Sequence, residues 1–315
     1  MADATQDRML GAILGFAIGD AFGMPVFGLS AQTINDVYGR VTSYLPRKFA
    51  DGAEVLAGEI TDDTEIALCI VESITAAQGE IDSENIAIRM AWLARGDSSR
   101  WLHPTTQMAI GGLSEEHGYS MPLIDDELVG ADVLARALPI GLLHSMGKYD
   151  RQRLIEDAEH VTRITHGSPV SLSVVATAAQ IVALTVRGGT AIEDVIQSVL
   201  DELPDGDVKR ALKGEPDGCS EPARVLTEAI ALATSAESFG QILSDAVAMG
   251  GAADSRAALA AALFAGHEGS QVIPQKLIDE LESRIYVSLA VPWFYRTVAK
   301  RNGRAIDLRV QRDQF

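Results

Sequence analysis

The sequence predicts an all-α fold, and three observations carry that prediction. Apolar side chains recur at helical rather than alternating spacing along most of the chain. Alanine, the best helix former, is spread throughout, and prolines number only 11 in 315 residues. Hydrophobic residues make up 47% but aromatic ones only 5%, which suits close-packed helices built on small side chains. No repeat is found, and no linker that would separate two cores. Residues 1–315 are therefore read as a single helical domain.

Residues 8–24 open the fold as an apolar helix with Gly11, Gly15 and Gly19 on one face. Each glycine costs such a helix roughly 1 kcal/mol relative to alanine, so three of them imply that a helix or a ligand comes close. Gly23-Met24-Pro25 ends it, and residues 28–60 read as irregular. Helices follow over 62–78 and 83–94, the second capped by Asp82 or Ser83. A polar stretch over 95–130 holds one short helix, Gln107 to Leu113. The pattern then predicts helices over 131–147, 150–162, 169–187, 190–201 and 207–213. A turn spans Gly214 to Pro222, and helices at 223–233, 237–248, 254–265 and 275–300 complete the chain.

The net charge of −18 makes a surface that repels nucleic acid and anionic membranes, so neither is an expected partner. The two cysteines, Cys69 and Cys219, lie far apart and form neither a disulfide framework nor a zinc spacing. Met9 to Gly19 is apolar enough to resemble a signal sequence. Asp3 and Asp7 before it and Asp20 after it argue against one, which makes a cytoplasmic protein the expectation.

The stretch richest in chemistry is Thr61-Asp62-Asp63-Thr64, at the entrance to the apolar helix that starts at 62. Adjacent carboxylates repel, and either a cation or a helix N-terminus relieves them. Thr61 or Asp62 as a cap, with Glu65 closing a capping box, is the structural alternative. Asp254-Ser255 opens another helix and carries the same two readings. His103, Thr105 and Thr106 sit in a polar loop, as turn residues or substrate contacts, and Thr165-His166 precedes a helix start.

Four ordered pieces resemble the ADP-ribosylglycohydrolase family, which includes the dinitrogenase-reductase-activating glycohydrolases. They are Gly11 through Gly19-Asp20-Ala21-Phe22-Gly23-Met24-Pro25, and Thr61-Asp62-Asp63-Thr64. Next comes Pro104-Thr105-Thr106 with Arg136-Ala137-Leu138-Pro139-Ile140-Gly141 and Thr165-His166. Last is Gly250-Gly251-Ala252-Ala253-Asp254-Ser255. The resemblance implies an orthogonal helical bundle whose cleft holds one or two Mg²⁺ or Mn²⁺ ions on Thr61, Asp62, Asp63, Asp254 and Ser255. It also implies that Asp62 or Asp63 orients a water towards the anomeric carbon of an ADP-ribosyl or related ribosyl group. Thr105, Thr106, His166 and Phe27 are the implied substrate contacts.

The departures gather in the cleft. Ala252 and Ala253 stand where the family places an aspartate and a threonine, and Phe27 where many members carry a glutamate. Val129-Gly130-Ala131-Asp132 replaces the family's Asn-Gly with altered spacing. The leading expectation is an Mg²⁺- or Mn²⁺-dependent hydrolase acting on an ADP-ribose-containing small molecule or an ADP-ribosylated protein. The alternatives are an inactive homologue that binds ADP-ribose or a nucleotide or serves a regulatory or structural role, and a hydrolase of another N- or O-glycoside.

Overall fold

The computed structural model describes residues 4–112 and 129–304. Among them the chain forms fifteen α-helices and a two-stranded antiparallel hairpin, Arg47–Lys48 (β1) with Glu54–Val55 (β2). The architecture is all-α, as the spacing of apolar residues predicts.

Two helices form the spine, α1 (Ala4–Gly23) and α13 (Ala253–Glu268). The glycine stripe of α1 explains their contact. A Cβ built on Gly11, Gly15, Gly19 or Gly23 would fall 2.2–2.5 Å from the backbone oxygen of Ala265, Ala261, Ala257 or Ala253 respectively. As one series rises by four the other falls by four, so the helices run antiparallel with backbones in contact. The close neighbour is thus a helix. This register also brings the last turn of α1, with Asp20, against the first turn of α13, with Asp254.

Around the spine sit α3 (Asp62–Ala76), α8 (Pro169–Arg187), α11 (Glu221–Ser235) and α15 (Arg284–Arg301). The stretches Ala4–Val26 and Pro169–Arg187 are long and apolar enough to cross a membrane. Their most apolar windows are 94% and 78% buried inside the protein, which makes them core helices here. Side-chain caps fix several starts: Ser30 for α2 (Ala31–Tyr38), Asp82 for α4 (Ser83–Leu93), Asp150 for α7 (Arg151–Thr162) and Ser168 for α8. Each such cap contributes about 1 kcal/mol.

The structure corrects four element boundaries. Residues 28–60 contain α2 and the hairpin; α2 escapes a periodicity search because Ile34 is its one buried residue. The expected helix over 131–147 is a 3₁₀ turn, Ala131–Arg136, followed by α6 (Ala137–Leu143). The expected helix over 275–300 is two, α14 (Gln275–Asp279) and α15, because the Glu282 N–H donates to Gly58 O instead of continuing a helix. The short helix expected over 107–113 is α5 (Pro104–Gly111), with Pro104 in its first turn; Leu113 lies outside the described residues. The remaining helices are α9 (Ile192–Glu202), α10 (Asp207–Leu212) and α12 (Phe239–Ala248).

Candidate active site

Three helix ends meet at one point. Asp20, fully buried, accepts from the N–H and hydroxyl of Thr61 at 2.9 and 2.5 Å and from those of Thr64 at 3.3 and 2.5 Å. Thr61 is the first flanking residue of α3, yet its side chain makes no capping bond to its own helix. The carboxylate of Asp20 on α1 does that work from outside, which frees Asp62 and Asp63. Across the gap, the Ser255 hydroxyl at the start of α13 donates to Asp63 Oδ2 at 2.7 Å, and the Ser255 N–H donates to Asp254 Oδ1 at 2.8 Å. The two motifs that lie 192 positions apart in sequence are therefore hydrogen-bonded to each other.

Electrostatics makes this cluster demanding. Burial, then the neighbouring carboxylates, push Asp62 and Asp63 well above the usual carboxylate range. Burial raises Asp254 to about 7. Asp62 Oδ2 and Asp63 Oδ1 are buried and have no hydrogen-bond partner among the described residues. An unmet buried carboxylate oxygen is costly unless a proton or a cation joins it.

The opposite wall is an ordered polar network. Arg136, 0% exposed, donates to Thr165 Oγ1 (3.0 Å), to Asp132 O (2.9 Å) and to Thr106 Oγ1 (3.1 Å). Thr106 in turn donates to Asp132 Oδ2 at 2.8 Å, and His166 Nδ1 lies 2.9 Å from Thr165 Oγ1. Burial works to raise Asp132, but His166, Arg136, His103 and the Thr106 hydroxyl outweigh it and hold the carboxyl below the usual range.

Between the walls lies a cleft of about 300 Å³. Asp62, Asp63, Asp132, Asp254 and Ser255 line its floor. Phe27, Phe49, Arg100 and Trp101 line its outer part, with the Phe49 and Trp101 rings 5.4 Å apart and Arg100 over Trp101 at 4.7 Å. Of the side chains singled out by sequence, Asp62, Asp63, His103, Asp254, Ser255 and Phe27 line the cleft. Thr61, Thr105, Thr106 and His166 are buried behind its lining. Sequence reasoning passed over Asp132 as a candidate. The signal was there: an Asp–Arg pair four apart, Asp132 and Arg136, inside the apolar run 131–143.

The ADP-ribosylglycohydrolase family profile matches residues 1–306, nearly the whole chain. The chain belongs to the ADP-ribosylglycohydrolase family. Family relatives agree along its length. An uncharacterized protein of Archaeoglobus fulgidus is 30% identical over 298 residues, spanning 90% of this chain and 94% of its own. The ADP-ribosyl-[dinitrogen reductase] glycohydrolase of Rhodospirillum rubrum is 26% identical over 294 residues, 90% of this chain and 92% of its own. A solved ADP-ribosylglycohydrolase-related protein complex superposes with a TM-score of 0.74 at 24% identity, over 93% of this chain and 99% of that one, and so shares the fold. The chain is thus an ADP-ribosylglycohydrolase-like hydrolase with a helical-bundle fold.

Within this family member, the donor set at the cleft floor is oxygen-only. Among the described residues no three His, Cys, Asp or Glu side chains converge as a ready-made metal cage. Ala252, which lines the cleft, and the buried Ala253 offer no side-chain donor. What the floor does offer is the two orphaned oxygens of Asp62 and Asp63 with the Ser255 hydroxyl beside them. That chemistry fits a hard divalent ion that keeps several waters, as Mg²⁺ does.

Proposed function

We propose that this protein is an Mg²⁺- or Mn²⁺-dependent hydrolase of an ADP-ribosyl, or closely related ribosyl, glycosidic bond. The observation that carries the reading is the pair of buried carboxylate oxygens, Asp62 Oδ2 and Asp63 Oδ1, unpartnered among the described residues of a cleft that Asp254 and Ser255 also line. Membership of the ADP-ribosylglycohydrolase family supports it, and the name of the R. rubrum relative points to the same bond class.

In this reading Asp62 and Asp63 hold one ion, with Ser255 and Asp254 near it and Thr61 fixed by Asp20 at the entrance to the helix. Such an ion, when bound, supplies positive charge that draws sugar hydroxyls and a water towards the cleft floor. Asp62 and Asp63 orient what gathers there, and their negative charge favours the cationic sugar carbon that develops as the bond breaks. The aromatic rim at Phe49 and Trp101 suits the base of a nucleotide, and Arg100 suits its phosphates. A cytoplasmic setting and an ADP-ribosylated protein or small-molecule substrate belong to the same proposal.

A binding-only homologue is the second reading, favoured by Phe27 and Ala252, which line the cleft without a side-chain donor. Calorimetric titration of Mn²⁺ into the wild-type protein and into Asp62→Asn and Asp63→Asn tests the metal. Saturable binding lost in both variants is expected; no binding at millimolar Mn²⁺ would sink the metal-dependent mechanism.

A further inference from the structure

Among the described residues, six acidic side chains line the cleft: Asp51, Asp62, Asp63, Asp132, Glu221 and Asp254. Asp51 and Glu221 are exposed on its edge. Asp62, Asp63 and Asp254 belong to the group assigned above to the cation. Asp132 stands apart from both. It is 8% exposed, and one of its oxygens is fixed: Oδ2 accepts from Thr106 at 2.8 Å and faces the Arg136 guanidinium at 4.0 Å. The other, Oδ1, has no hydrogen-bond partner among the described residues. His103 Nδ1 is 3.7 Å away, beyond hydrogen-bond range, on a side chain that is 28% exposed at the cleft edge. A carboxylate with one oxygen anchored and the other left to a ligand is how a proton acceptor is built.

We propose that Asp132 is the general base of this hydrolase, its Oδ1 taking a proton from the water that attacks the anomeric carbon. The inference rests on the hydrolase reading above. As the water oxygen bonds to the sugar carbon, the bond to the leaving nitrogen or oxygen breaks and its electron pair departs with that atom. Asp132 then returns the proton to the leaving group, so the net change is addition of water across the bond. Burial works against the ionised form, but His166, Arg136, His103 and the Thr106 hydroxyl outweigh it and keep the Asp132 carboxylate able to accept a proton.

The test compares wild type with Asp132→Asn on arginine-linked and serine-linked ADP-ribosyl peptides in saturating Mg²⁺. ADP-ribose calorimetry and a thermal melt run alongside. A fall in kcat of about 100-fold or more, with KM and ADP-ribose affinity within about threefold of wild type, is expected. A kcat within about fivefold of wild type, or a loss of turnover matched by a loss of ADP-ribose affinity, would overturn the assignment. Asp132→Glu keeps the charge facing Arg136 and is expected to recover at least about tenfold over Asp132→Asn; no recovery in a folded variant would also overturn it. If the wild type itself turns over none of these peptides, the hydrolase reading fails first and the base falls with it.

Discussion

Gly19→Ala is expected to destabilise the protein even though alanine is the better helix former. A Cβ at Gly19 would lie 2.3 Å from Ala257 O, 2.4 Å from the Ala257 carbonyl carbon and 2.5 Å from Ala258 N. Non-bonded heavy atoms settle about 3.5–4 Å apart, so α1 and α13 must separate by about 1 Å. All three obstructing atoms are backbone, which cannot swing aside as a side chain can. Overpacking of this kind costs about 3 kcal/mol at the upper end of its usual range. The gain in helix propensity returns about 1 kcal/mol, leaving a net loss of about 2 kcal/mol. In a protein of 315 residues that corresponds to a fall in Tm of about 3 °C by scanning calorimetry. Asp20 moves with Gly19, so the anchors of Thr61 and Thr64 move too, and ligand affinity is expected to fall with stability. Gly240→Ala provides the contrast: its Cβ would meet nothing within 4 Å, and the variant is expected to gain up to about 1 kcal/mol. A Gly19→Ala protein that melts at or above wild type would refute the backbone contact between the two helices.

Other expectations follow from the cleft. Asp254 is raised from 3.8 to about 7, and Asp62 and Asp63 shift the same way. A carboxyl whose folded pKa exceeds its unfolded value binds its proton more tightly when folded. Its contribution is therefore fully present below about pH 4 and is lost as pH rises towards 7. Melts in EDTA should show that loss, and saturating Mn²⁺ should raise Tm more at pH 8 than at pH 5, because metal competes with protons for the same oxygens; equal shifts would contradict this. Arg136→Lys cannot reproduce three separate donor contacts from one ammonium and is expected to cost about 3 kcal/mol or more by denaturant unfolding. Ala252→Asp puts a carboxylate into the cleft and should tighten Mn²⁺ binding by about tenfold in calorimetry, roughly 1.4 kcal/mol.

Much of this arrangement was legible in the chain because it rests on local patterns. The glycine stripe on α1 announces a close neighbour, and Thr61-Asp62-Asp63 and Asp254-Ser255 each sit at a helix start that spacing reveals. What spacing cannot reveal is which groups the tertiary fold supplies from elsewhere. Thr61 reads as a candidate cap, yet Asp20, 41 positions away, satisfies the end of its helix. The break between α14 and α15 has no breaker residue at 280–283, because Gly58 O causes it from across the structure. Thr106 and His166 read as possible substrate contacts, and the structure engages them in the network behind the cleft. Asp132 is the reverse case: the Asp132–Arg136 pair stands in the sequence, but only the fold shows that both are buried beside the two aspartates.

The most direct test is release of free ADP-ribose from arginine-linked and serine-linked ADP-ribosyl peptides, followed by chromatography with Mg²⁺ and with EDTA, for wild type and Asp63→Asn. The expected result is release by the wild type in Mg²⁺, abolished by EDTA and by the substitution. Release that persists undiminished in EDTA, or a wild-type protein that binds ADP-ribose and Mg²⁺ yet releases none, would contradict metal-dependent ADP-ribosyl hydrolysis in this cleft.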